Sequence, residues 1–307
     1  MLSRRQFTTG IAGTSIAMAT QLPQSASSQP APRKRMIVDA QVHIWGPNTP
    51  ELPWVPGQRT PGPVETFSFE RLIQMMDEAG VDRAIIAPPS LTAPSNVYGL
   101  EAAKRHPDRF KVFGRIPMED PKAVELLPRW KEQPGMAGIR LAFEHGKAQK
   151  LKDGGYDALF AAAEKAQVPL MIFAAGLLPN FARIADRHPQ LALIVDHVGM
   201  NNTIPIAQSA SDTIALARHP NVTVKMKAGA QYAPEPYPYP NMSAQFKRVF
   251  DVYGAQRLHW ETDITQTLNE GGYQHRIAHF TQELKFLSED DKDWIMGKSI
   301  LARLKWA

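Results

Sequence analysis

The sequence predicts an α/β fold, a (β/α)8 TIM barrel, and three observations carry that prediction. Short β-branched runs alternate with helical patterns about eight times, the alternation fills roughly 270 residues, and no Gly-rich phosphate loop follows the first run. The last observation sets aside the doubly wound open sheet, the other fold that such alternation suits.

The runs are residues 36–44, 83–87, 110–116, 136–143, 169–173, 191–195, 221–226 and 257–261. Each has the length of a parallel strand buried on both faces. Between them, apolar residues recur three and four apart over residues 69–79, 96–106, 156–167, 180–188, 244–253 and 273–287, the spacing of one helical face. Gly80, Gly254 and the pairs His106-Pro107, His188-Pro189 and His219-Pro220 act as stop signals. Glycine takes the left-handed cap, and proline cannot continue a helix. After the seventh run, residues 231–240 interleave Tyr and Pro, so they form an extended loop.

Residues 1–35 stand apart from the fold. Ser3-Arg4-Arg5-Gln6-Phe7 precedes a weakly apolar stretch, the small residues Ser25-Ala26-Ser27-Ser28, and a basic segment ending at Arg35. Paired arginines, a short apolar core and a small-residue zone make a twin-arginine-type export leader and linker, and with it a periplasmic location. The apolar stretch is about half of the roughly 20 residues that cross a bilayer. Residues 36–307 then form a single barrel domain. The chain carries 35 Lys and Arg against 30 Asp and Glu, for a net charge of +5 and a pI near 9.3. Arg4, Arg5, Arg33, Lys34 and Arg35 supply that whole excess, so the domain is neutral and a nucleic-acid partner is not expected. At 43% hydrophobic and 21% charged residues, with a mean hydropathy of −0.31, the chain suits neither a membrane bundle nor a disordered tail. Cysteine is absent, which excludes disulfides, thiolate zinc sites and cysteine nucleophiles. No Gly-x-Ser-x-Gly elbow offers a serine nucleophile.

Functional residues of a barrel lie at the C-terminal ends of its strands, and four ends are chemically loaded. They are Asp39-Ala40-Gln41-Val42-His43-Ile44-Trp45, Gly138-Ile139-Arg140-Leu141, Val195-Asp196-His197-Val198-Gly199 and Trp260-Glu261-Thr262-Asp263. At a period of two, Asp39, Gln41 and His43 share one side of the first strand. Polar groups inside apolar runs need partners, since leaving one buried and unpaired costs about 1–3 kcal/mol. By the same alternation Lys225 and Lys227 share a face of the seventh strand, and His145 lies in the loop after the fourth. All three are candidate substrate-binding residues.

In this order, the four segments resemble the amidohydrolase superfamily, in particular amidohydrolase family 2. Within it they are similar to the lactonase branch that includes 2-pyrone-4,6-dicarboxylate lactonase, sugar-acid lactonases and 4-sulfomuconolactone hydrolase. The likeness runs from about Met36 to a closing helix around Gly297-Lys298-Ser299-Ile300-Leu301-Ala302-Arg303-Leu304. The resemblance implies that His43 is the second histidine of the family's His-x-His, with Gln41 standing where the first usually is. It implies that His197 belongs to the family's Asp-His-x-Gly, that Asp263 deprotonates the attacking water, and that Arg140 holds a substrate carboxylate. Phe173 stands where metal-dependent members often place another histidine. The metal ligands that remain are His43, His197 and Asp263, enough for at most one divalent ion, zinc or manganese, or for none.

The expected activity is therefore hydrolysis of the ring ester of a carboxylated lactone by Asp-activated water. Gln41, His43 and His197 are expected to stabilise the oxyanion. Two alternatives share the barrel: a metal-dependent decarboxylase or hydratase of aromatic-acid catabolism, and a non-catalytic periplasmic binding barrel. The expected partner is a small acidic lactone, with a homo-oligomer and no membrane span.

Overall fold

The computed structural model describes residues 34–143, 146–269 and 271–307. Eight strands form one parallel sheet in sequence order: β1 Val38–Val42, β2 Arg83–Ile86, β3 Phe110–Gly114, β4 Met136–Ala142, β5 Leu170–Phe173, β6 Leu193–Val195, β7 Val222–Lys227 and β8 Leu258–Glu261. β8 returns to β1 through Asp263 N, which donates to Gln41 O at 3.0 Å, and through Thr262 N, which donates to the Asp39 carboxylate at 2.9 Å. Helices separate the strands, which makes the expected barrel.

The expected helices form at Phe69–Ala79, Val97–Arg105, Asp157–Lys165, Pro179–Arg187, Pro240–Tyr253 and Gly272–Ala278. The first shows how local sequence sets an end: Ser68 Oγ accepts from Arg71 N, and Gly80 closes the helix at φ 75°. The last runs on as a wide π-helical turn over His279–Glu283 and stops short of residue 287. A helix at Ile206–Ala215, between β6 and β7, was not expected. Its buried positions are Ser209, Ala210 and Thr213, too small and polar to write an apolar stripe. The closing helix is present at Ser299–Leu304.

Two apolar regions hold the fold. The larger lies between strands and helices; the other fills the barrel interior with Val38, Ala40, Ile85, Phe113, Met171 and Ile194, joined by Ile300 and Trp306 of the C-terminal segment. Register shifts occur in β1 against β2, between Asp39 and Val42, and in β3 against β4, between Val112 and Phe113. Val38 and Ala40 face the interior, yet so does Gln41, which reaches Lys225 and His197 across the barrel. Asp39 therefore does not share the side of Gln41 and His43, as strict alternation had implied.

Most of residues 1–35, the expected leader and linker, lies outside the described residues. Arg35 belongs with the barrel: it pairs with Glu289 at 2.7 Å and Asp293 at 2.8 Å.

Candidate active site

Above the apolar interior, the strands present a layer of buried charges. Lys225 of β7 is fully buried and touches three groups: Asp196 Oδ1 at 2.8 Å, Glu261 Oε2 at 3.0 Å, and Gln41 Oε1. Asp196 also accepts from Arg140 Nε at 2.8 Å. Glu261 accepts from both the backbone N and the ring Nδ1 of His197, at 2.9 and 2.6 Å. Burial works against charge on Asp196 and Glu261, but Lys225 and Arg140 outweigh it at the first, and His197 and Lys225 at the second. Both carboxyls are held below the usual range.

The next layer reaches the barrel mouth. Asp263 Oδ2 accepts from Lys227 Nζ at 2.8 Å, while Oδ1 has no hydrogen-bond partner and stands 3.2 Å from His43 Nε2. Burial opposes ionisation of Asp263, yet Lys227, then His43 and His197, outweigh it and hold this carboxyl far below its ordinary value. His43 Nδ1 lies 2.6 Å from the Ala87 carbonyl, an acceptor that fixes the ring with its proton on Nδ1 and its lone pair on Nε2. Burial pushes His43 down to about 4, so the ring is neutral at pH 7. Two acceptors, Asp263 Oδ1 and His43 Nε2, thus face each other with no proton between them.

Backbone geometry here is strained. Asp263, His197 and Val198 all have φ near +50°, a region costly for side-chain-bearing residues and most so for β-branched ones. Hydrogen bonds hold it: Asp263 N to Gln41 O, His197 N to Glu261, and Thr213 Oγ1 to Val198 O at 2.9 Å.

His43, Asp263, His197, Arg140 and Phe173 line a cleft of about 570 Å³ at the mouth. Phe173 packs edge-on to His197 with ring centroids 5.7 Å apart, and the Arg140 guanidinium lies 5.5 Å from the Phe173 ring. The structure also brings in Arg115 and Ser90, Tyr232 of the Tyr-Pro loop and Arg59 of the loop after β1. Arg115 directly follows β3, a strand-end position that was a signal for it. Glu261 was visible inside Trp260-Glu261-Thr262-Asp263, but Asp263 drew the attention.

The expected site residues thus divide. Gln41 and Lys225 face the interior, one layer below the cleft, and bond each other; Lys225 is not a substrate contact, because three protein groups enclose its ammonium. Lys227 is buried against Asp263 and 5.3 Å from the Tyr232 ring, which leaves it no open face toward substrate. Gln41 spends its amide on Lys225 and His197, and neutral His43 offers a lone pair, so neither is an oxyanion donor. His145 lies outside the described residues.

The same geometry tests a metal ion. His43 Nε2, His197 Nε2 and Asp263 converge, with His197 Nε2 at 3.8 Å from Asp263 Oδ2. An ammonium already holds Asp263 Oδ2, and another holds Gln41 Oε1. A divalent ion in this donor set would stand against a buried positive charge. The residues present do not fit it, and no group of His, Asp or Glu arranged to hold a metal occurs among the described residues.

The amidohydrolase family Amidohydro_2 matches residues 38–300. The chain is similar to 4-sulfomuconolactone hydrolase of Hydrogenophaga intermedia, at 26% identity over 234 residues covering 73% of each chain. It is similar to L-fucono-1,5-lactonase of Burkholderia ambifaria, at 25% identity over 242 residues covering 74% of this chain and 79% of that one. A crystal structure of an amidohydrolase from Burkholderia multivorans with bound zinc superposes with a TM-score of 0.72 at 17% identity, over 88% of this chain and 99% of that one.

Proposed function

The chain belongs to the amidohydrolase family Amidohydro_2, and from that premise we propose that it is a lactonase, which opens the ring ester of a carboxylated lactone with water activated at Asp263. The observation that carries this reading is the facing pair of Asp263 Oδ1, which has no hydrogen-bond partner, and His43 Nε2, beside a cleft lined by arginines. A water in the cleft that donates a proton to this pair is oriented with a lone pair toward a bound substrate. The similarity to two lactone hydrolases supports the substrate class.

In the reaction, Arg140 binds a carboxylate of the lactone above Phe173. Water oxygen attacks the ring carbonyl carbon and its proton passes to the Asp263–His43 pair. The tetrahedral intermediate collapses with cleavage of the ring C–O bond, the leaving alkoxide regains a proton from that pair, and a hydroxy acid departs. Positive charge around the cleft, from Arg140 and Arg115, opposes the charge that develops on the oxyanion.

Asp263→Asn keeps the shape and removes the charge. It is expected to abolish ring opening of acidic lactones, followed as proton release, with the fold intact by circular dichroism; near-normal turnover would sink the assignment. Carbon dioxide release from aromatic acids would favour the decarboxylase reading, and ligand-induced thermal stabilisation without turnover would favour the binding barrel. We further propose that the twin-arginine-type segment at residues 1–35 carries the activity to the periplasm. Replacing Arg4 and Arg5 by Lys is expected to leave the protein in the cytoplasmic fraction, and unchanged export would refute the leader.

A further inference from the structure

We propose that this chain carries its active-site cation covalently: the buried ammonium of Lys227 stands at Asp263 in place of a divalent metal ion. The inference rests on the reading of Asp263 as the group that activates water, and on no particular lactone.

Three features of the site converge on it. Lys227 Nζ donates to Asp263 Oδ2 at 2.8 Å with both side chains nearly inaccessible, so the carboxylate has a fixed positive partner on one oxygen and keeps the other beside His43 without a hydrogen-bond partner. A divalent ion bridging His43, His197 and Asp263 would have to displace that ammonium from its buried ion pair. The ligand set is thinned at the same places. Gln41 stands on β1 with its amide oxygen on Lys225, and Phe173 ends β5, so the positions nearest the converging histidines offer a saturated amide and an apolar ring.

Charge balance points the same way. The ion pairs of this network join three cations, Arg140, Lys225 and Lys227, to three carboxylates, Asp196, Glu261 and Asp263. A buried set of equal and opposite Lys, Arg and carboxylate charges is balanced as it stands, whereas an added divalent ion leaves two uncompensated charges in it. An ammonium cannot act as a Lewis acid on water, so the work left to Lys227 is positional: it holds Asp263 so that Oδ1 faces His43. Lys227 is a positioning residue, distinct from the groups that touch the reacting atoms.

The test reads the metal itself. Cobalt(II) is titrated into the protein, and into Lys227→Met, while the visible d–d absorption of ligated cobalt is followed. The wild-type protein is expected to show no such band up to millimolar cobalt and to keep its activity after dialysis against dipicolinate. Lys227→Met, with Asp263 left without its ammonium, is expected to bind cobalt with at least a tenfold lower dissociation constant and develop the band. Its turnover is expected to fall at least a hundredfold in kcat with KM nearly unchanged, and to recover in part with methylammonium, which refills the space. Stoichiometric metal in the wild-type protein, whose removal abolishes turnover, would overturn the proposal. So would equal cobalt binding by the two proteins. Should Lys227→Met not fold, the wild-type titration and dialysis still decide. Because the cobalt band is read without substrate, a failure to turn over any lactone faults the reaction assigned above and leaves this result standing.

Discussion

His43, His197, Asp263 and Arg140 were legible as residues because each ends a strand, and all of them line the cleft. Lys225 and Gln41 were placed on the correct face but at the wrong depth. Alternation tells which side of a strand a residue takes, not how far below the mouth it sits. Asp39 takes the other side for another reason: the irregularity in β1 brings Gln41 inward beside Ala40 and leaves Asp39 against Thr262 and Tyr273. Lys225 carries a sharp prediction. Lys225→Met takes one buried cation from both Asp196 and Glu261, and breaking a buried ion pair costs about 3–5 kcal/mol. Urea denaturation is expected to show that loss, and a midpoint equal to the parent would refute the bracing role. At Arg140 the guanidinium must bond Asp196 through Nε and still present its other nitrogens to substrate. Arg140→Lys keeps the charge without that fork, so KM for an acidic lactone is expected to rise roughly tenfold or more while kcat changes less. An unchanged KM would remove Arg140 from substrate binding.

At the scale of elements, the decisive joint is the seam between β8 and β1. The Asp39 carboxylate takes Thr262 N, the Thr262 hydroxyl and the Tyr273 hydroxyl at 3.0 Å, which ties two strands and the following helix to one buried acid. Thr262→Val preserves shape and leaves an acceptor short of a donor, at a cost of about 1–3 kcal/mol. The expected result is a lower melting temperature with KM unaffected; a large KM change with no thermal shift would place Thr262 in the cleft instead. The loop after β1 behaves differently. A Cβ on Gly62 would lie 1.9 Å from the Thr265 carbonyl, so Gly62→Ala pushes this loop off the 264–267 turn and shifts Arg59 and Thr60, which line the cleft. That variant is expected to raise KM with the melting temperature nearly constant. Packing of this kind between distant segments leaves no periodic trace in the sequence.

For the whole molecule, the barrel was legible because eight buried strands must each be written in apolar residues, whereas the helix at Ile206–Ala215 buries little more than Ser, Ala and Thr. The same deep burial sets how stability depends on pH. Burial holds His259 near 3 and His279 near 4, His259 under the added repulsion of Arg303 and Lys225; in the unfolded chain both titrate near 6.5. Below that value the unfolded state takes up protons that the folded state refuses, so stability falls as pH drops from about 6.5 toward 4. His43, near 4, adds in the same direction. Asp39 opposes them: burial raises it to about 6, so it binds its proton more readily folded than unfolded and adds stability as pH falls from 6 to 3.8. Three histidines outweigh one aspartate. Below about 4.5 the loss continues, because Asp196, Glu261 and Asp263 are held ionised in the folded state and must then be protonated. The melting temperature is expected to decline steadily from pH 7 to pH 4. His259→Gln combined with His279→Gln removes two of the proton-refusing groups and is expected to flatten that decline. A double variant that follows the parent slope would show that the acid sensitivity arises elsewhere.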